Sequence, residues 1–176
     1  MVKMDVFEAI KGRRSIRKFK PEAVKDEDLR TILDAGRCAP SAGNCQPSEL
    51  VVAKEPSVKR GLAAAALEQT FIEEAPVVIV VCANVPRTAR RYGRRGQELY
   101  CLQDTAAATQ NILLAAYSLG YGTCWIGAFD EEAVADVIKV PSGVRPVAII
   151  PLGRAAEIPS PPQKRTLDDI SHINHF

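Results

Sequence analysis

Histidine is scarce in this chain: of 176 residues only His172 and His175 are histidines, both in the final five positions. A catalytic triad built on a core imidazole and a histidine-rich metal centre are therefore disfavoured, and the His-x-x-His pair reads as tail rather than as metal site. Paired cysteines are lacking as well. The five thiols, at positions 38, 45, 82, 101 and 124, are odd in number, widely spaced and free of any Cys-x-x-Cys. Neither a disulfide framework nor a zinc site follows, and the thiols are expected reduced and mostly buried. The apolar runs at 75–83 and 147–152 are too short to cross a bilayer as helices. The opening MVKMDVFEAIKGRR has no continuous apolar stretch or small-residue cleavage site, so the expected location is the cytoplasm. Charge of one sign is also missing: 23 basic against 21 acidic residues leave +2, which gives no overall pull toward nucleic acid. No G-x-G-x-x-G, no Walker-type loop and no G-x-S-x-G follows any expected strand, which argues against Rossmann, P-loop and α/β-hydrolase chemistry.

What is present is an ordinary globular composition, 47% hydrophobic and 25% charged, in a length suited to one domain. Apolar spacing predicts a helix over 4–12 with Val6, Phe7 and Ile10 on one side. A second covers 26–38, with Asp26, Glu27 and Asp28 at its positive end and Leu29, Ile32 and Leu33 as its stripe. Pro40 opens a turn-rich loop to Pro47. Strands are expected over 49–54, 77–81 and 146–152, and a strand or extended loop over 122–127. An alanine-rich helix follows Pro56. A long helix from Gln97 to Leu119 is marked by Leu99, Leu102, Ala106, Gln110, Leu113 and Tyr117 and stopped by Gly120, and Asp130 caps a helix to about Ile138. This order fits an α/β sandwich without the regular alternation of a doubly wound sheet. Residues 1–153 read as one domain and the proline-rich stretch 154–176 as its tail, wrapping over something.

Two segments concentrate chemistry. Arg13, Arg14, Ser15, Arg17 and Lys18 place five donors within six residues, where guanidinium groups and a hydroxyl suit a phosphate. The alternative is a solvated basic face, but Ile16 interrupts the charge and sends its neighbours to alternate sides of an extended segment. Residues 87–95 hold five arginines and Tyr92; a nucleic-acid patch is disfavoured by the balanced net charge, and capture of a dinucleotide phosphate or an acidic substrate is the functional alternative.

The blocks FEAIKGRRSIRKFK, DAGRCAPSAGNCQPS, EEAPVVIVVCA and QDTAAATQNILLAAYSLGYGTCWIG resemble, in order and over nearly the whole chain, the short members of the nitroreductase family. The resemblance implies an α+β sandwich with a central mixed, mainly antiparallel sheet flanked by helices. It also implies an intertwined homodimer with FMN at the interface. Arg13, Arg14 and Ser15 would then hold the phosphate or ribityl end, and Arg17 would lie beside the ring, where a fixed cation favours the charge left by reduction. Pro40, Ser41, Ala42, Asn44 and Gln46 match a second FMN block supplied by the partner, although the tryptophan often found after Gln-Pro is Ser48 here; an ordinary Asx-type loop is the alternative. Trp125, Ile126 and Gly127 match the segment whose backbone approaches the redox edge, with core packing as the alternative for Trp125. Gln69 falls near a position facing the pyrimidine edge, and Arg154 and Arg165 lie where the family places further phosphate ligands, beside Lys164. The implied activity is ping-pong transfer of hydride from NADH or NADPH through FMN to an electron-poor small molecule such as a nitroaromatic, quinone or flavin. A reductive dehalogenase, a flavin-modifying enzyme and an FMN binder without turnover are the rivals.

Overall fold

In a computed structural model, residues 4–176 are described, so the first three residues of the expected 1–153 unit lie outside them. The element order is α1 (Val6–Gly12), α2 (Asp26–Arg37), a 3₁₀ turn (Ala42–Asn44), β1 (Ser48–Ala53), α3 (Pro56–Ala65), α4 (Phe71–Glu74), β2 (Val77–Asn84) and α5 (Val85–Arg95). A π-helical turn (Gly96–Tyr100), α6 (Cys101–Ser118), β3 (Gly122–Thr123), α7 (Glu131–Ile138) and β4 (Val144–Gly153) follow. The sheet order is β1-β2-β4-β3 and every neighbouring pair is antiparallel. A single bridge between Ser15 and Thr123 adds the parallel component.

Alternation along β2 explains the layers. Val77, Ile79 and Val81 enter one core with Leu29, Ile32, Ile112 and Leu113 of α2 and α6, while Val78, Val80 and Cys82 enter another with Leu62, Ile72 and Val134 of α3, α4 and α7. Both faces of the sheet are covered, so the strand is a continuous apolar run rather than an alternating one. Burial pushes the Cys82 thiol up to about 12, as expected of an inert core cysteine. All five cysteines are free; Cys101 and Cys124 are buried too, Cys45 is half-buried and Cys38 is exposed.

Two apolar stripes lie elsewhere than their spacing suggests. In α1 the buried residue is Ala9, whereas Phe7 is 65% exposed and Val6 and Ile10 are also exposed. In α6 the buried face is Cys101, Asp104, Thr105, Ala108, Thr109, Ile112, Leu113 and Ala116, so of the expected stripe only Leu113 belongs to it. The helix is apolar on nearly all sides, and two threonines join its core face because their hydroxyls donate to backbone carbonyls one turn back, Thr105 to Cys101 and Thr109 to Thr105, both at 2.8 Å. Gly120 ends α6 as expected, at φ +79°, with its N–H on the Tyr117 carbonyl and that of Tyr121 on Ala116. The arginine-rich stretch 87–95 is helical as α5, with Pro86 in its first turn. Beyond Arg154 the chain pairs briefly with residues 18–20 and then runs exposed to its end.

Candidate functional site

The basic cluster leaves α1 as an extended segment laid along the sheet edge. The Ile16 N–H donates to the Thr123 carbonyl at 2.9 Å, and the Ile16 side chain packs so closely on Gly122 that a Cβ there would sit 2.6 Å from its Cγ1. Ile16 is buried. Alternation then puts Arg13, Ser15 and Arg17 together on the other side. Cys124 registers that convergence: burial pushes its thiol up, while Arg17, the Ser15 hydroxyl and Arg13 pull it down. Neither Arg13 nor Arg17 pairs with a carboxylate among the described residues, whereas neighbouring Lys18 pairs with Glu157 at 2.6 Å. Arg14 turns away and donates to the Lys11 and Arg13 carbonyls at 2.7 and 2.9 Å.

The segment following β3 supplies further donors. Ile126 spends both its backbone groups on Ile149, at 2.9 and 3.0 Å. Its neighbours Trp125 and Gly127 therefore turn their N–H groups away from the sheet, and neither donates among the described residues. Trp125 is 40% exposed, and nothing lies within 4 Å of where a Gly127 side chain would begin. Gln69 pins this segment by donating to the Ala66 and Ala128 carbonyls, at 2.8 and 3.2 Å. The donor set is cations, a hydroxyl and free N–H groups, without a carboxylate. That set fits an electron-rich, phosphate-bearing cofactor.

The second block lies elsewhere. Gly43, Asn44 and Gln46 all adopt left-handed backbone, at φ +52°, +57° and +51°, which is costly for the two with side chains. Three contacts hold the loop in that shape. The Ala42 N–H donates to Asp104 Oδ1 at 3.0 Å, the Gln46 N–H to Ser41 Oγ at 2.9 Å, and Arg91 Nη1 to the Gly43 carbonyl at 2.6 Å. Pro40, Ser41 and Gln46 line a cavity of about 740 Å³ with Arg30, Arg87 and Asp104. Asp104 is only 7% exposed, and its Oδ2 has no partner among the described residues; burial raises its carboxyl above the ordinary range, with the Ala42 N–H opposing. Sequence reasoning missed Asp104, and took Arg91 with its neighbours as a contact for a dinucleotide phosphate or acidic substrate rather than as a tie to this loop. A lone acid between Gln103 and the alanine run was the available sign of Asp104.

Within one chain the two blocks stand far apart. Ser48, which follows the loop, faces Ala83 and through it Arg145, whereas Thr123 faces Leu152 at the other edge and the other end of the sheet. Three inter-strand steps and the Arg145-to-Leu152 length of β4 make a diagonal of roughly 25–30 Å. The two blocks thus sit near opposite ends of α6, whose 18 residues span about 27 Å. No small cofactor reaches both blocks of one chain. Arg154 joins neither: it donates to the Leu119 and Gly120 carbonyls at 3.1 and 2.8 Å and lies 4.2 Å over the Tyr121 ring, capping α6. Arg165 lies in the exposed tail and donates to the Asp169 carbonyl.

Comparison with known proteins gives concordant relatives. An NADH dehydrogenase of Thermus thermophilus is 32% identical, over 95% of this chain and 95% of its own. An oxygen-insensitive NADPH nitroreductase of Salmonella typhimurium is 30% identical, over 96% of this chain and 73% of its own. Among solved structures, the NADPH:FMN oxidoreductase of Vibrio harveyi complexed with NAD+ superposes with a TM-score of 0.89 at 27% identity, covering 97% of this chain and 77% of that one. Nitroreductase A of Vibrio parahaemolyticus superposes with a TM-score of 0.90 at 28% identity, covering 98% and 77%. The model of the nitroreductase family matches residues 10–73 and 63–154, and with the sandwich and the donor set in place the chain belongs to that family.

Proposed function

We propose that the protein is an FMN-dependent oxidoreductase that takes hydride from NADH or NADPH and passes it to an electron-poor small molecule such as a nitroaromatic, a quinone or a flavin. The observation that carries this reading is the carboxylate-free donor set of Arg13, Ser15, Arg17 and the N–H groups of Trp125 and Gly127, gathered on one side of the segment 122–127. FMN, when bound, supplies two-electron chemistry that no side chain here provides. Arg13 and Ser15 hold the phosphate end. Arg17 offers positive charge to the ring, favouring electron uptake, and the Trp125 and Gly127 N–H groups serve the ring's acceptor edge.

The 40–46 block completes the site from a second copy. Each chain carries one block near each end of α6, so two chains related by a twofold axis bring unlike ends together twice. The uncovered apolar face of α1 and the exposed Ile158, Leu167, Ile170, Ile173 and Phe176 of the tail give that copy its contact surface. In this reading residues 1–153 form one FMN-binding unit and 154–176 wrap the partner, with Arg165 carried to its phosphate. We place the protein in the cytoplasm, where both donors are found. The visible spectrum tests the reading: the purified protein with added FMN should turn yellow and bleach anaerobically when NADH or NADPH is mixed in. A protein that stays colourless with FMN overturns it.

A further inference from the structure

Arg87, Arg90 and Arg91 stand at spacing i, i+3, i+4 on α5 and so share one face, beside the buried Thr88. Like charges so placed repel one another. Residues 85–100 hold five arginines against one glutamate, a surplus of four, while the whole chain carries +2; the rest of the molecule is therefore net negative by two. The neutralising contacts are unevenly shared. Arg94 pairs with Glu98 at 2.7 Å beyond the kink at Gly93, and Arg95 donates to the Tyr100 hydroxyl at 2.8 Å. Arg87 faces Glu49 at 3.7 Å, and Arg91 is tied to the Gly43 carbonyl. Arg90 is exposed, with neither an ion pair nor a hydrogen bond among the described residues.

The positive face is also held in place. Arg91 fastens α5 to the 41–46 loop, and Arg87 lines the same cavity as Ser41 and Gln46. The charge thus stands at the rim of the second cofactor block rather than on a remote surface. Resting on the function proposed above, we propose that this face of α5 receives the 2′-phosphate of NADPH and makes that donor preferred over NADH. The pyrophosphate is common to both dinucleotides and gives no discrimination, whereas a phosphate monoester adds close to two negative charges where NADH has a hydroxyl. An uncommitted guanidinium with a second one a turn away matches that group in charge and in bidentate geometry.

The test uses FMN-loaded protein reduced in a stopped-flow instrument by NADPH or NADH at low ionic strength. Wild type should favour NADPH, and added salt should shrink the preference, because exposed charges are screened. Arg90→Gln should lower the second-order rate with NADPH about fivefold and leave NADH unchanged, as an exposed pair contributes up to about a factor of five. Arg90→Glu should lower it further, and Arg60→Gln on α3 should do nothing to either rate. Equal losses with both donors would assign Arg90 to the pyrophosphate or to general steering, and unchanged rates would remove it from recognition; either overturns the inference while the oxidoreductase function stands. Protein that binds FMN but is reduced by neither donor overturns the function and this inference with it.

Discussion

Replacing Asp104 separates what its charge costs from what its hydrogen bond does. In Asp104→Ala the half-buried Ala42 N–H loses its acceptor, and a donor left unsatisfied there costs about 2 kcal/mol at most. A domain of this size loses about 2–4 °C per kcal/mol, so the melting temperature should fall by no more than roughly 4–8 °C. The functional effect should exceed the thermal one, because the same bond helps hold the left-handed backbone of Gly43, Asn44 and Gln46, and in the proposed two-chain site a relaxed loop would no longer present its polar groups to FMN. Asp104→Asn keeps an oxygen for Ala42 and removes the buried charge. The carboxyl is raised in the folded protein, so between its ordinary range and the raised value the folded state binds more protons than the unfolded one. Wild type therefore loses stability as pH rises through that window. The asparagine variant does not, and its melting temperature should gain on wild type from about pH 4 upward and level off once Asp104 is ionised when folded. Calorimetry across pH and FMN titration by fluorescence quenching read the two effects. If Asp104→Asn loses flavin as completely as Asp104→Ala while melting like wild type, the charge itself does the work and the latch argument fails. An alanine variant that binds FMN normally refutes it as well.

Two further outcomes test the halves of the site. Arg13→Ala should chiefly lose FMN, measured by equilibrium dialysis, whereas Arg17→Ala should retain more flavin and show a lower reduction potential in dye-coupled titration; the opposite assignment would reverse the orientation proposed for the cofactor. Phe7→Ser with Ile10→Ser places hydroxyls on the exposed face of α1, which should leave the melting of the isolated fold little changed but yield a monomeric mass by light scattering and colourless protein. A monomeric, yellow wild type would dismiss the two-chain site.

The strands and helix ends were legible because local chemistry dictates them. The apolar run of β2 has no polar face to misplace, Gly120 is the residue that tolerates φ +79°, and the acids of α2 suit a helix start. The orientation of α1 was not legible, since Val6, Phe7 and Ile10 form a good stripe whichever surface covers it. In α6 a helix apolar almost all round left its core side undetermined, and threonines that satisfy their own hydroxyls disguised it. Arg13, Ser15 and Arg17 were readable as a group because the period of two about a buried Ile16 is a local property. Asp104 was not, because its importance depends on a loop sixty-two positions earlier in the chain.

The Ile16 to Thr123 hydrogen bond carries a consequence for the timing of synthesis. Residues 13–17 leave the ribosome well before the edge they dock on, β3, whose ladder partners are Leu152 and Gly153 of β4. Such long loops must close before the contacts they permit repay them. Arg13 and Arg17 thus wait, unplaced, until Leu152 and Gly153 have emerged. At the proposed site flavin capture would then wait on β4, and products stalled before it would be unable to sequester the cofactor.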